Sequence, residues 1–323
     1  MRFLRHAFIL AFISSICITF LPSAEAFWIW TPESGKWVNP KYAVKPSPQE
    51  QLEYANGFFV SGRYAEAMRE YKKLLQHYGK AREAATAQFY IGRSWEEMKN
   101  YFEAVENYQK VVDRYPFSDL GPKVVERQYL IANLLLEGKA RDKRLATTLL
   151  GSTHNVVEIF EKVIKNDPYG TYAPAARFKI GLFHLEQGAY QLARDEFEKT
   201  LNDYPDSKWA ESAKYQIAVA DSKRSVSAQY DQGATTVAVE GFKEFLEANP
   251  ESELSEAARQ EIERLKVKEA ENAFLVAEFY EKQKKMKAAR IYYQEVVDNY
   301  AGTVWAEKAA VRVRMIDEGG MTP

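Results

Sequence analysis

The sequence contains one cysteine among its 323 residues, and this residue, Cys17, lies in an apolar run near the N-terminus. A chain with one cysteine cannot form an internal disulfide or a zinc site built from several thiolates. The N-terminal run has the layout of a segment that is removed, so we expect a processed chain without cysteine. Its stability in an oxidising compartment must then come from side-chain packing alone.

Glycine and proline are also scarce, with 16 and 12 residues against 20 tyrosines and 18 phenylalanines. This balance favours long helices with aromatic packing over a turn-rich sheet protein. The formal net charge is −1, and lysine and arginine are interleaved with aspartate and glutamate. Because phosphate recognition needs a concentrated basic face, we do not expect a nucleic-acid partner.

Residues that would build an enzyme site are equally sparse. The sequence has no glycine-rich phosphate loop and no His-x-x-x-His spacing, the patterns that cradle phosphates or ligate zinc. The four histidines fall in different parts of the chain: His6, His77, His154 and His184. We therefore predict a non-enzymatic binding protein that needs no metal and no cofactor.

The first 26 residues resemble a secretory signal peptide. Arg2 and Arg5 give a positive start, the apolar run Phe8 to Leu21 follows, and Ala24-Glu25-Ala26 ends the segment. We expect cleavage after Ala26 and export of the processed chain. A retained membrane anchor is the alternative, but the run of fourteen residues is shorter than the roughly 20 that a spanning helix needs.

Lipidation is not expected in this N-terminal segment. A bacterial lipoprotein has a cysteine preceded by a leucine and two small residues at its processing site, whereas Ile16 precedes Cys17 here.

The strongest pattern is a repeat in which an aromatic anchor follows a small residue by four positions and precedes a helix breaker by eight. The six anchors are Tyr71, Tyr108, Phe160, Phe197, Phe242 and Tyr293. The residues four before them, small in five cases, are Ala67, Ala104, Val156, Ala193, Ala238 and Ala289. Those eight after, five of which are glycine or proline, are Gly79, Pro116, Pro168, Pro205, Pro250 and Ala301. Sixteen before the anchor, small residues such as Ala55 and Gly181 let two helices touch. This order is typical of the tetratricopeptide repeat, a helix-turn-helix unit of roughly 34 residues.

The anchors are 37, 52, 37, 45 and 51 residues apart, so three units carry insertions. We expect insertions to form loops, with Lys139–Thr153 and Ser225–Thr236 the clearest. The predicted fold is an all-α, tetratricopeptide-type solenoid of about six helical hairpins over residues 49–310, with a flexible tail over 311–323. Stacked hairpins of this kind curve to form a concave face. An irregular helical bundle is the alternative, but it would not need a breaker at one register.

Residues 27–48 differ from the repeats. Phe27 to Trp30 and Lys36 to Val38 flank a turn-prone segment, which predicts a short β-hairpin with a linker after it. Three tryptophans, Trp28, Trp30 and Trp37, lie within ten residues. The hairpin could cap the apolar edge of the first repeat, because terminal repeats need caps. It could instead dock a partner, because exposed tryptophan is favoured at interaction hot spots.

The junctions between repeats are more specific than the repeat itself. Tyr115-Pro116-Phe117-Ser118 and Tyr204-Pro205-Asp206-Ser207 each lead into an alanine-containing helix, as do Asn249-Pro250-Glu251-Ser252 and Val304-Trp305-Ala306-Glu307. These junctions, together with the last repeat from Phe274 to Tyr300, resemble the outer-membrane protein assembly lipoprotein BamD and its relatives. The resemblance covers roughly residues 49–310.

The resemblance implies a periplasmic scaffold, associated with the outer membrane through its partners, that helps an insertase fold β-barrel proteins. Such a scaffold binds unfolded outer-membrane proteins and docks the insertase through its C-terminal repeats. One departure is clear, because that family is tethered by a lipidated cysteine at the mature N-terminus and this sequence has none there. Periplasmic repeat proteins of the cell-division and envelope type share the junction. A soluble scaffold that organises cell-wall or division machinery is therefore the alternative.

Candidate partner-binding positions lie on the first helix of each hairpin, about nineteen, fifteen and twelve residues before the anchor. They are Asn56, Phe59, Phe89, Arg93, Glu96, Phe178, Leu182, Leu185, Phe274 and Glu278. Some of the apolar positions must also serve the hairpin cores. Leu52 stands where a carboxylate-clamp repeat would have lysine, so we do not expect capture of a terminal carboxylate.

Overall fold

The computed structural model describes residues 28–32, 35–39, 43–138, 152–224 and 232–319. Within these ranges the chain forms thirteen α-helices and one two-stranded sheet, which confirms the all-α class with an N-terminal β-hairpin. The helices are α1 (Pro48–Val60), α2 (Tyr64–His77), α3 (Arg82–Glu97), α4 (Tyr101–Arg114), α5 (Gly121–Leu136), α6 (Ser152–Asn166), α7 (Ala173–Glu186), α8 (Tyr190–Asp203), α9 (Ala210–Arg224), α10 (Gln232–Ala248), α11 (Ser255–Lys282), α12 (Met286–Asn299) and α13 (Val304–Gly319). The chain divides into two compact units, one ending at Ser94 and one beginning at Trp95.

The sheet consists of β1 (Ile29–Thr31) and β2 (Lys36–Val38), which pair antiparallel with Trp30 opposite Trp37. Gly35 has a φ of 60°, the left-handed conformation that glycine adopts most easily. Within the described part of the chain, neither strand makes extensive contact with a helix. The predicted hairpin is therefore present, and a capping role for it stays a prediction.

The anchors behave as the repeat pattern predicts. All six anchor side chains are 0% exposed, and so are five of the six small residues four positions earlier. Each helix that carries an anchor ends two residues before the predicted breaker position, as α4 does at Arg114 before Pro116. Four of the six positions hold proline, which cannot continue a helix, so proline sets where those four helices end.

In four hairpins, the turn between the paired helices has one residue in the left-handed conformation, nine positions before the anchor. In two hairpins this residue is Gly62 or Gly188, with φ of 73° and 72°, and in two others it is Lys99 or Lys284, with φ of 58° and 59°. A side chain in this conformation costs roughly 1–2 kcal/mol, which glycine avoids. The two lysine turns therefore carry backbone strain that the glycine turns lack.

Small residues sixteen positions before the anchor permit close helix packing, as predicted. Ala55 and Ala277 are fully buried. At Gly181 in α7, a Cβ atom would lie 2.5 Å from Cε1 of Phe197, the anchor in α8. Real Cβ atoms do not approach a ring this closely, so only glycine fits here without movement of the anchor.

An amide cluster joins three helices of the second unit. Asn166 on α6 donates from Nδ2 to the Oε1 atoms of Gln109 on α4 (2.8 Å) and Gln128 on α5 (2.9 Å). Gln128 in turn donates to Gln109 at 3.1 Å and is fully buried. Because buried amides must find partners, this cluster fixes how the three helices face one another.

The insertion between the last two anchors contradicts our expectation that insertions form loops. These residues belong to α11, a continuous helix of 28 residues. Ala258, Ile262 and Leu265 in its first half pack in the core around Phe242, while Phe274 and Ala277 in its second half pack around Tyr293. Both halves have a buried face, so helix continues where the sequence suggested a loop.

Two further boundaries differ from the prediction. α10 begins at Gln232, four residues before the expected end of the Ser225–Thr236 loop, and the tail expected from residue 311 is helical through Gly319. The tail is helical because Val313, like Ala309, packs into the last core. Residues 139–151 and 225–231, which include most of the two predicted loops, lie outside the described residues, as do the signal segment 1–26 and Cys17.

Candidate protein-binding surfaces

The candidate positions of the first unit are Asn56 and Phe59 on α1 and Phe89 and Arg93 on α3. Phe59 is half-buried and packs edge-on against Tyr64 (centroid distance 5.4 Å) and Tyr90 (5.1 Å). Phe89 is buried and Arg93 is partly exposed. The chain therefore uses Phe89 mainly for the core, whereas Phe59 and Arg93 keep surface that a partner could contact.

Asn56 has a role inside the first hairpin. Its Oδ1 accepts a hydrogen bond of 2.7 Å from the hydroxyl of Tyr71. Burial raises the pKa of Tyr71, so the hydroxyl stays protonated and remains a donor. Asn56 thus supplies the hydrogen-bond acceptor for the hydroxyl of the buried anchor Tyr71. Its side chain is partly exposed, and only the part not bonded to Tyr71 is available to a partner.

In the second unit, Glu96 accepts a hydrogen bond from the hydroxyl of the next anchor, Tyr108. Its Oε2 accepts hydrogen bonds from the Tyr108 hydroxyl (2.5 Å) and from Nε of Arg127 (3.1 Å), and its Oε1 pairs with the other guanidinium nitrogen. The carboxylate is buried. Burial of a carboxylate is tolerable when it is paired and hydrogen-bonded, so the three residues form a closed Tyr–Glu–Arg cluster.

The last hairpin repeats this Tyr–Glu–Arg cluster at the same register. Glu281 Oε2 accepts from the Tyr293 hydroxyl at 2.6 Å, and its Oε1 lies 3.5 Å from a guanidinium nitrogen of Arg312. In both clusters the glutamate is twelve before the anchor and the arginine nineteen after it. Sequence analysis missed the cluster, although two of the three tyrosine anchors have glutamate at this position. The third, Tyr71, has Phe59 there and donates to Asn56 instead.

The other candidate positions of the second unit divide by burial. Phe178 is buried against Phe197 and Trp209 (centroids 5.3 and 4.9 Å), and Phe274 is buried against Tyr293 and Trp305 (5.1 and 5.2 Å). These two rings are hairpin core.

Three candidate positions keep accessible surface. Leu182 and Leu185 are partly exposed at the edge of the core around Phe197, and Glu278 is partly exposed beside Lys282 at 2.9 Å. A partner-binding role for these three stays a prediction.

Two aromatic residues that sequence analysis did not select are fully accessible. Phe117 and Tyr169 are 101% and 94% exposed, each directly after the proline that ends a repeat. They occupy the same position, nine residues after the anchors of neighbouring repeats in the second unit. Because the proline holds this position out of the helix, the residue that follows it has no helical neighbour to pack against.

The tryptophans of the β-hairpin are exposed as well. Trp28, Trp30 and Trp37 are 55%, 48% and 63% exposed, and Trp30 meets Trp37 in a T-shaped contact with centroids 5.9 Å apart. Large apolar side chains with this exposure are typical of surfaces that bind something.

No cluster of histidine, cysteine, aspartate and glutamate that could hold a metal occurs among the described residues. In the same part of the chain, none of the helices is both long enough and apolar enough to span a bilayer.

Comparison with protein families shows that parts of the chain match two family models. Residues 86–118 and 175–207 match the tetratricopeptide repeat, and these segments contain the second and fourth anchors, the two that follow their predecessors by 37 residues. Residues 218–318 match the family model of the outer membrane lipoprotein YfiO. The chain is thus a tetratricopeptide repeat protein, and this repeat is typical of protein-interaction scaffolds. Comparison with curated proteins gives no match.

Solved tetratricopeptide proteins resemble the chain at low identity. One is the C-terminal part of a repeat protein from Cytophaga hutchinsonii, with 16% identity, coverage of 81% of this chain and 87% of that one, and a TM-score of 0.38. Another, from Parabacteroides merdae, has 13% identity, coverage of 84% and 100%, and a TM-score of 0.35. A third, from Thermus thermophilus, has 15% identity, coverage of 67% and 99%, and a TM-score of 0.33.

Proposed function

We propose that the processed chain is a non-enzymatic scaffold of the bacterial envelope that helps outer-membrane β-barrel proteins to assemble. In this role it binds unfolded outer-membrane proteins and a subunit of the insertase. The observation that carries the proposal is the match of residues 218–318 to an outer membrane lipoprotein family. The BamD-like junctions of the sequence fall partly in the same region. Export through the signal-type segment 1–26 would deliver the chain to the periplasm.

Residues 218–318 contain two packed hydrophobic cores that can support a docking surface. One core surrounds Phe242 between α10 and α11, and the next surrounds Tyr293 between α11, α12 and α13. Sites on rigid, well-packed elements hold their side chains in place better than sites on loops do.

The surface shared by α11 and α13 is the part of this region that best fits a protein partner. Arg312 on α13 reaches Glu281 on α11, which brings the two helices together on this side. Residues about one turn away lie on the same side of each helix, which places Glu278 on α11 and Met315 on α13 there. Met315 is well exposed, and so is Val311, which precedes Arg312 in the sequence and lies one helical turn before Met315. An apolar patch bordered by charges is the usual composition of a protein interface.

Site-specific photo-crosslinking in cells tests the proposal. A photoreactive residue at Met315 should capture an insertase subunit or barrel-protein precursors. The matched control is Leu192 on α8, which is similarly exposed (52% against 57%) but lies outside residues 218–318, the segment that matches the outer membrane lipoprotein family. Equal capture from both positions would contradict a docking surface at α11 and α13.

A charge substitution provides the second measurement. Met315→Glu should abolish capture from a photoreactive residue at Glu278, whereas Leu192→Glu should leave it unchanged, because both side chains are exposed and neither change disturbs a core. Capture of cell-wall synthases in place of barrel-assembly proteins would refute the proposal and support the envelope-scaffold alternative.

A further inference from the structure

The aromatic hairpin, formed by residues 28–32 and 35–39, is the part of the first unit that the repeat fold leaves unexplained. Its strands contact each other and make no extensive contact with the described helices. An isolated two-stranded hairpin is at best marginally stable in water. Three half-exposed tryptophans on such a hairpin therefore need a surface that covers them.

The strand register shows where the apolar side chains lie. Trp30 lies on one face of the sheet, and Trp28 is one residue before β1 begins. Trp37 is directly opposite Trp30 and shares that face. Ile29 lies on the other face and is 42% exposed. A groove on a protein covers one face of a hairpin, whereas the interfacial layer of a bilayer surrounds both, so apolar exposure on both faces favours a lipid surface.

The chemistry of the segment fits the same surface. Tryptophan concentrates at the membrane–water interface because its ring is apolar and its indole N–H can reach water and headgroups. Residues 27–48 contain three lysines and one glutamate, a net charge of +2, although the whole chain has a formal charge of −1. The excess lies in the linker directly after the hairpin, at Lys41 and Lys45, and Lys45 packs over the Tyr54 ring. A positive segment within a slightly negative chain is attracted locally to anionic lipid headgroups.

We propose that the aromatic hairpin is an interfacial anchor that attaches the processed chain to an anionic bilayer surface. The hairpin lies directly after the expected cleavage site, at the N-terminal end of the processed chain. A tether at that end leaves the repeats available to bind partners. The proposal relies on the export assumed above but not on any protein partner. It gives the chain an attachment that does not depend on a lipidated cysteine.

Vesicle flotation tests the anchor with purified components. The full chain is exported in cells and the processed protein is purified, with its N-terminus confirmed by mass spectrometry. It should float with vesicles of phosphatidylethanolamine and phosphatidylglycerol, and float less with phosphatidylcholine vesicles or at high salt. The variant Trp28→Ser/Trp30→Ser/Trp37→Ser should lower the partition coefficient by about tenfold or more, because it removes most of the apolar area available for insertion.

The control variant, Phe117→Ser/Tyr169→Ser, removes two fully exposed aromatic side chains elsewhere and should float like the original chain. Circular dichroism should show the same helix content in all three proteins. Flotation that is unaffected by the tryptophan substitutions, or no flotation of the original chain, would overturn the proposal.

A second measurement keeps the tryptophans in place. Because the processed chain has no cysteine, a single cysteine placed at Pro32 in the hairpin turn or at Phe117 takes one environment-sensitive dye. The dye at Pro32 should shift to shorter emission wavelengths on addition of anionic vesicles, and brominated acyl chains should quench it. The dye at Phe117 should do neither. Equal responses at the two positions would contradict an anchor in the hairpin.

Vesicle binding and partner capture are separate readouts. Flotation needs no insertase, so failure of the anchor leaves the crosslinking result at Met315 untouched, and the reverse also holds. Capture of a protein by a photoreactive residue at Trp37, combined with no flotation, would assign the hairpin to a protein partner and overturn the bilayer proposal.

Discussion

Replacement of Gly181 by alanine sets two physical effects of opposite sign against each other. Gly181 lies inside α7, where alanine would ordinarily stabilise a helix by about 0.5–1 kcal/mol relative to glycine. The new Cβ, however, would lie 2.5 Å from Cε1 and 2.7 Å from Cδ1 of Phe197. The ring is fully buried and packs against Phe178 at a centroid distance of 5.3 Å, so it cannot swing into solvent.

The clash should therefore win. Overpacking a well-filled core costs about 1–3 kcal/mol, so after the propensity gain we expect a net loss of about 1 kcal/mol for Gly181→Ala. The matched control is Gly57→Ala in α1, where a new Cβ meets no atom within 4 Å. That variant should be stabilised by about 0.5–1 kcal/mol.

The assay is urea unfolding followed by far-ultraviolet circular dichroism, together with hydrogen exchange measured by mass spectrometry on peptides from α7 and α8. The local measurement matters because repeat arrays can unfold in parts. Gly181→Ala should lower the urea midpoint and speed exchange in these two helices. Phe197→Leu removes Cε1, so the cost of Gly181→Ala should fall in that background. A midpoint that rises for Gly181→Ala, as for Gly57→Ala, would refute the packing argument.

Three further substitutions test other parts of the fold by urea unfolding. Tyr293→Phe removes the donor to Glu281 and should cost about 1–2 kcal/mol. Burial raises the pKa of Tyr293, so its contribution to the free energy of unfolding is complete below its unfolded pKa of about 10 and is lost as the pH rises above that value. The variant should therefore lose less stability above pH 10 than the original chain. An identical dependence of stability on alkaline pH in the two proteins would contradict this assignment. Gln128→Leu leaves its amide partners unsatisfied and should cost about 1–3 kcal/mol, whereas Gln191→Leu at an exposed pair should cost little; similar losses would argue against the buried amide cluster. Lys284→Gly relieves a left-handed turn and should stabilise by up to about 1 kcal/mol, so a loss of stability would show that the turn carries no strain.

The core of the fold could be predicted from sequence because its signals are local. An aromatic residue, an alanine one turn earlier and a proline two turns later depend only on helix periodicity and on the chemistry of proline, and the anchors were all found buried. The close approach at Gly181 could be predicted for the same reason. Each of these signals stands within about one helix length of the anchor.

The features that were missed depend on relations between helices. Glu96 was assigned to a partner-facing position, but whether its carboxylate faces a ligand or the Tyr108 hydroxyl depends on the next helix, which supplies Arg127. The insertion in α11 was expected to be a loop because spacing alone does not show whether inserted residues have a face to bury. Phe117 was quoted only as part of a junction, since its full exposure follows from the geometry of a turn.

The continuous helix α11 has a mechanical consequence. At 1.5 Å per residue its 28 residues form a rod about 42 Å long. Leu265 is fixed in one core and Phe274 in the next, with no turn between them to act as a hinge. A pulling force applied to α13 would therefore be carried along the rod into the core around Phe242, and these two cores should give way in one step where hairpins joined by loops would yield one at a time.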